Sequence, residues 1–208
     1  MKSLNYVVHG AGGIGCVIAS RLANAGRKVQ LVARGAHLEA LRSHGLKVTQ
    51  NTEGRWRLPA SATAHDLDLD DRTVVLLAMK TDDTFAAVRH HSLLYQELPI
   101  VCFQNGVSNE EWLSKEGYRT YGCTVMVGAE IVEPGTVRHS GGRLLEIGCW
   151  PTGNDPICRE LVSDLIAGGM KAAVDDRVID GKWGKLVRNL INAYLALVNL
   201  SVQEVSCN

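Results

Sequence analysis

Residues 4–34, LNYVVHGAGGIGCVIASRLANAGRKVQLVAR, constrain the fold more than any other stretch of the chain. Residues 4–9 form a short β-rich run that stops at glycine, and Gly10-Ala11-Gly12-Gly13-Ile14-Gly15 then fits G-x-G-x-x-G. Helical periodicity follows as far as a stop at Gly26, and KVQLVAR reads as a second buried strand. Strand, glycine turn, helix and strand make one β-α-β unit, whose crossover imposes a parallel sheet. In such a unit the first glycine permits the tight turn, the second lets a pyrophosphate approach the backbone, and the third lets helix pack on strand. The N–H groups of the helix N-terminus then face the phosphates. Gly10, Ala11, Gly12, Gly13, Ile14 and Gly15 are therefore expected to bind a dinucleotide. At the end of the second strand, where an NAD-binding unit usually carries Asp or Glu for the ribose hydroxyls, this chain has Arg34. A guanidinium there pairs instead with a 2′-phosphate, so NADP(H) is expected over NAD(H).

Strand and helix keep alternating beyond this unit. GAHLEALRSHG reads as a short helix closed by Gly45, and LKVTQNTEGRWRL as two strand-like runs around a turn at 52–54. TVVLLAMK (strand), DDTFAAVRHHSLLYQ (helix) and LPIVCFQNG (strand) follow, then SNEEWLSKEG, a helix with Ser108 as N-cap and Glu111 at the capping-box position. Residues 120–148 break the pattern: short strands punctuated by Pro134-Gly135 and Gly141-Gly142 predict several antiparallel hairpins. A helix capped at Asn154 or Asp155, a last strand MKAAVD and the apolar helix KWGKLVRNLINAYLALVNL complete the chain. The expected fold is α/β: a Rossmann-type, doubly wound, mostly parallel sheet with added antiparallel hairpins and a C-terminal helix.

Composition narrows the partners. Lys+Arg 22 against Asp+Glu 22 leaves a formal net charge of +0, so no overall field draws in nucleic acid or an anionic membrane, and a small molecule is the expected partner. Cys16, Cys102, Cys123, Cys149, Cys158 and Cys207 show no C-x-x-C pair and no zinc-ligand spacing, which predicts no metal, buried thiols and a reducing, cytoplasmic location. The amino end is too short in apolar residues for a signal peptide, and the last helix carries too many polar residues for a membrane span. HDLDLDD lacks the glycine and terminal glutamate of a calcium loop, and His90-His91 is read as a favourable contact with a helix dipole.

Five further positions suggest a site. Lys80 and Asn105 fall at the carboxyl ends of sheet strands, where ligands bind in open α/β sheets. Lys185, Asn189 and Asn192 fall on one narrow face of the last helix, with Arg188 and Asn199 nearby and apolar residues around the rest. A helix apolar over so wide an arc is expected to be buried on several sides, leaving the lysine in a cleft or desolvated.

Taken in order, GAGGIG, Arg34, MK at Lys80, QNG at Asn105, EPGTVRH and KWGKLVRN resemble the ketopantoate reductase (2-dehydropantoate 2-reductase) family of NADPH-dependent enzymes of pantothenate synthesis. The resemblance implies that Lys185 donates a proton to the keto oxygen of a 2-keto acid while hydride reaches the carbonyl carbon. It implies that Asn105 touches cofactor and substrate, that Asn189 binds substrate, and that Lys80 and Gly128 lie near the cofactor. Asn192 stands one residue before the family's next asparagine position, which holds Ala193. The family continues into an all-helical domain, so the resemblance implies an NADP-binding part at 1–176 and only the start of a substrate and dimerisation domain at 177–208. A homodimer through the last helix is expected. Three readings stay open: a 2-keto-acid reductase, a non-catalytic NADP(H)-binding relative and a structural fragment.

Overall fold

The structure, a computed structural model, describes the backbone of residues 3–197 and side chains as far as residue 190. In chain order the first elements are β1 (Asn5–His9), α1 (Gly13–Asn24), β2 (Val29–Val32), α2 (Gly35–His44), β3 (Leu46–Gln50), β4 (Gly54–Trp56) and β5 (Ala60–Ser61). After a 3-10 turn at Ala64–Asp66 come β6 (Thr73–Leu77), α3 (Thr81–His90), α4 (Ser92–Tyr95), β7 (Ile100–Cys102) and α5 (Ser108–Lys115). Last are β8 (Thr120–Glu133), β9 (Thr136–Cys149), α6 (Pro156–Ala167), β10 (Lys171–Val174) and α7 (Val178–Leu197).

All ten strands form one sheet in the order β4-β3-β9-β8-β7-β6-β1-β2-β5, with β10 beside β9. Among the described residues only β3·β4 and β8·β9 are antiparallel, so the expected mostly parallel sheet is present. β1 is an interior strand between β6 and β2, with Tyr6 opposite Val29 on one side and Val74 on the other. Successive side chains of a strand point to opposite faces, and the core divides accordingly. Tyr6, Val8, Val74, Leu76 and Val101 pack with α1, α2 and α6. Val7, Val75, Leu77, Ile100 and Cys102 pack with α3, α4 and α5. Burial on both faces explains why these strands read as unbroken apolar runs.

Local signals were mostly placed where expected. Gly45 closes α2 at φ 78, and Asp155 caps α6 by accepting the Cys158 N–H at 3.0 Å, with Pro156 at the start of the helix. Four expectations need correction. The region 120–149 is one long hairpin turning at 134–135, because Gly141-Gly142 lies inside β9 at an irregular register opposite Gly128. Gly142 has φ 70, and a Cβ there would lie 2.1 Å from the Met126 carbonyl oxygen, which is a bulge requirement and not a turn. The helix expected over 82–96 is broken at His91, a buried residue whose pKa is lowered chiefly by desolvation. Its Nδ1 bonds the Ala87 carbonyl at 2.8 Å and its Nε2 accepts the Ala64 N–H at 3.1 Å, so it ties two segments together and does not act as a dipole cation. The residue preceding α5 is Val107, with no side-chain cap, and Glu111 pairs with Lys115 at 2.8 Å.

Helix α7 seats Val178 and Lys182 inward against the β8 side of the sheet, where a Cβ on Gly122 would come 3.2 Å from the Val178 methyls. Trp183, Val187 and Leu190 are 51%, 52% and 62% exposed, so among the described residues the stretch 178–190 of α7 is covered on one side and not on several.

Candidate active site

The glycine loop leaves β1 and enters α1 with each glycine meeting a different demand. Gly10 has φ 102, and a Cβ there would lie 2.4 Å from the Met79 backbone nitrogen. Gly15 presses on the Gly10 carbonyl and Val8, and Gly13 on the Ala129 carbonyl of β8, with hypothetical Cβ contacts of 2.3 and 2.6 Å. Gly12 differs: its Cβ would meet only the Ala78 carbonyl oxygen, at 4.0 Å. Its open side and the free N–H groups of the first turn of α1 suit a phosphate.

Beyond this loop lies a cleft of about 940 Å³, bounded by α1, the β6–α3 and β7–α5 connections, the β8–β9 bulge and α7. It brings together Ile14, Lys80, Asn105, Gly128, Lys185 and Asn189, six expected positions from five separate segments. The remaining glycine-motif residues, Gly10, Ala11, Gly12, Gly13 and Gly15, stand outside its lining, as does Arg34. Arg34 lies two residues beyond β2 at the N-cap of α2, is largely exposed, and pairs with Asp83 of α3 at 2.7 Å. The side chain of Asn192, and the whole of Asn199 and Cys207, lie outside the described residues.

Lys185 is the chemical centre of the cleft. Its Nζ donates to Asn105 Oδ1 at 2.7 Å and to the Val125 carbonyl oxygen of β8. An ammonium has three donors, so one is uncommitted among the described residues. Burial lowers the Lys185 pKa most, and the neighbouring Lys182 ammonium adds to the effect.

Sequence reasoning assigned no role to Lys182 or Glu110. Lys182, 4% exposed, donates to the Gln104 carbonyl oxygen at 3.0 Å and forms an ion pair with the fully buried Glu110. The available signal was spacing: Lys182 precedes Lys185 by three residues, so both share one helix face. Packing of α6 on the sheet also brings Cys149 of β9 and Cys158 of α6 to 3.9 Å, although they are distant from any motif. The neighbouring Asp155 carboxylate is occupied by Tyr121, Arg119 and the Cys158 N–H, and burial pushes the Cys158 thiol up to about 12.

The chain is similar to known proteins in sequence and in fold. The chain is 29% identical to the 2-dehydropantoate 2-reductase of Pyrococcus horikoshii over 97% of its own length and 67% of that protein. Its identity to the enzyme of the same name from Halobacterium salinarum is 30%, over 95% of this chain and 66% of that one. Among solved structures, a PanE/ApbA family ketopantoate reductase from Ralstonia eutropha superposes with TM-score 0.79 at 30% identity, covering 89% of this chain and 61% of that one. The 2-dehydropantoate 2-reductase of Methylococcus capsulatus shares the fold with TM-score 0.85 at 22% identity, covering 95% and 65%. The chain thus spans about two thirds of the length of the relatives it matches. The family model described as ketopantoate reductase PanE/ApbA matches residues 6–152, and the chain belongs to that family.

Proposed function

We propose that this protein reduces a 2-keto acid with NADPH, 2-dehydropantoate being the first substrate to test, and that Lys185 is the proton donor. The observation that carries the reading is the Lys185 ammonium, held in the cleft by Asn105 and the Val125 carbonyl with one donor uncommitted. The names of the relatives support the choice of substrate.

The residues fit a dinucleotide: the open side of Gly12 would hold the pyrophosphate, and Arg34, together with Lys80, would hold its outer phosphate end. Bound NADPH would supply hydride to the carbonyl carbon. As the carbonyl oxygen gains negative charge, the Lys185 N–H stabilises it and transfers a proton. Asn105 fixes the lysine's direction, and its amide nitrogen is left for cofactor or substrate. Asn189, one turn along α7, contacts the substrate, and Gly128 keeps the β8 side of the cleft free of a side chain. Asn192 is proposed as a second substrate contact on the same helix.

The reading extends to a cofactor-binding part at 1–176, a helical part from 177, a cytoplasmic location and a homodimer in which exposed Trp183, Val187 and Leu190 of α7 meet a second copy. Among the described residues no helix is long and apolar enough to cross a membrane. NADPH oxidation in the presence of 2-dehydropantoate and other branched 2-keto acids, by wild type and Lys185→Ala at measured oligomeric mass, tests it. Wild-type turnover that Lys185→Ala abolishes is expected. Turnover unaffected by the substitution refutes the role of Lys185, and NADPH binding without turnover reassigns the protein as a cofactor-binding relative.

A further inference from the structure

Lys185 and Asn105 come from segments that meet at a second point, about one turn back along α7. There Lys182 Nζ donates to the Gln104 carbonyl oxygen at 3.0 Å and pairs with Glu110. We propose that Lys182 is a positioning residue for the reduction: by anchoring Gln104 and Glu110 to α7, it sets where Asn105 meets Lys185. The proposal rests on the reductase reading of the cleft.

The carbonyl that Lys182 holds belongs to the peptide joining Gln104 to Asn105, so any shift there moves Asn105 directly. On its other side the loop is tied to α3, by Gln104 Nε2 to Thr84 Oγ1 at 2.6 Å and Asn109 Nδ2 to Thr81 Oγ1 at 3.1 Å. Lys182 therefore fixes a loop already braced from α3 onto the helix that carries the proton donor. Stability is a poor explanation for the pair, because buried ion pairs are often matched or bettered by apolar replacements. Here Glu110 Oε2 also has no hydrogen-bond partner among the described residues.

A second consequence is electrostatic. Lys185 faces Lys182 and Arg188 from its own helix, Cys123 from β8 and the uncharged Asn105 from the loop, with Lys80 sharing the cleft. After burial, the Lys182 charge is the largest influence making Lys185 a stronger acid.

The test uses the full chain with Lys182→Met/Glu110→Gln, Lys182→Arg and Glu110→Gln. The double variant removes both charges, avoiding the unpaired Glu110 that Lys182→Met alone would leave. Steady-state kinetics are combined with the pH dependence of Lys185 acetylation by limiting acetic anhydride, followed by peptide mass spectrometry. In the double variant kcat should fall about ten- to a hundredfold, as expected for a small misplacement of reacting groups, with KM for NADPH little changed. Its acetylation midpoint should move to higher pH, and Lys182→Arg should restore that midpoint. Should the double variant not fold, Glu110→Gln is read in its place, with a lowered kcat at unchanged melting temperature as the expected result. Wild-type kcat together with an unmoved acetylation midpoint overturns the proposal. Acetylation needs no turnover, so failure of wild type to reduce any 2-keto acid refutes the reductase reading, and with it a role in reduction, while the midpoint still reports separately whether Lys182 acts on Lys185.

Discussion

Gly10 and Gly12 stand two residues apart in one loop, yet alanine should act at them in opposite ways. At Gly10 the backbone has φ 102, and a methyl would lie 2.4 Å from the Met79 nitrogen and 2.8 Å from the Ala78 carbonyl carbon. Left-handed strain of about 1–3 kcal/mol and overpacking of about 1–3 kcal/mol sum to roughly 2–6 kcal/mol. For a chain of this size that lowers the melting temperature by roughly 4–24 °C. At Gly12, φ is −78, and the nearest atom to a methyl is 4.0 Å away. Alanine is a poorer N-cap than glycine by about 0.5–1 kcal/mol, but restricting the unfolded chain recovers about 0.4–1 kcal/mol. Gly12→Ala should therefore melt close to wild type. Its methyl would occupy the face proposed for pyrophosphate, and losing even one charge-assisted bond of about 1.5–3 kcal/mol weakens NADPH binding by about tenfold or more. Thermal unfolding of both variants and NADPH titration by tryptophan fluorescence decide the matter. An affinity in Gly12→Ala within about twofold of wild type, or a melting temperature as low as that of Gly10→Ala, would refute the reasoning.

Tyr6→Phe removes a buried bond of 2.6 Å to Asp164, which remains paired with Arg27 at 2.7 Å, and should cost about 1.5–3 kcal/mol in urea denaturation. A loss below about 0.5 kcal/mol would show that the network adds little. Burial raises the Asp155 pKa, but bonds from Tyr121, the Cys158 N–H and Arg119 together outweigh it and hold the carboxyl below the usual carboxylate range. A depressed folded pKa gives stability that is present above the unfolded value and lost as pH falls through the folded one. The stability gap between wild type and Asp155→Asn should thus close as pH drops below about 4, and a gap that stays constant into acid contradicts the assignment. Arg34→Ala should weaken NADPH by roughly tenfold while leaving NADH nearly unchanged in competitive titration; equal loss of both would remove Arg34 from 2′-phosphate recognition.

The parallel core was legible because each central strand is a short apolar run bounded by glycine or by a polar turn, and each crossover leaves a helical period behind it. Residues 120–149 were less legible. A glycine pair punctuates a turn and a bulge alike, and whether Gly141-Gly142 is one or the other depends on the Met126 carbonyl across the hairpin. The helix expected over 82–96 failed at His91 for a similar reason: what stops it is the buried ring's bond to Ala64, a residue from a separate segment. The cleft-facing positions Lys80, Asn105, Lys185 and Asn189 could be singled out because polar side chains at strand ends or on an apolar helix stand out from their surroundings. Lys182 did not stand out, since a lysine at the start of a helix looks like any solvated charge until the fold buries it against Glu110.

By itself the sequence determined the β-α-β unit, the glycine turn between β1 and α1 and the identity of the residues able to do chemistry, because turn geometry, helical period and functional groups are local properties. Only the tertiary structure decided which of those groups meet. Asn105 and Lys185 are 80 residues apart in the chain and 2.7 Å apart in space. Their contact, the burial that makes Lys185 more acidic and the clamp formed by Lys182 exist only once α7 packs on β8. Distance and desolvation are set by what surrounds a side chain, and the chain order does not contain that information.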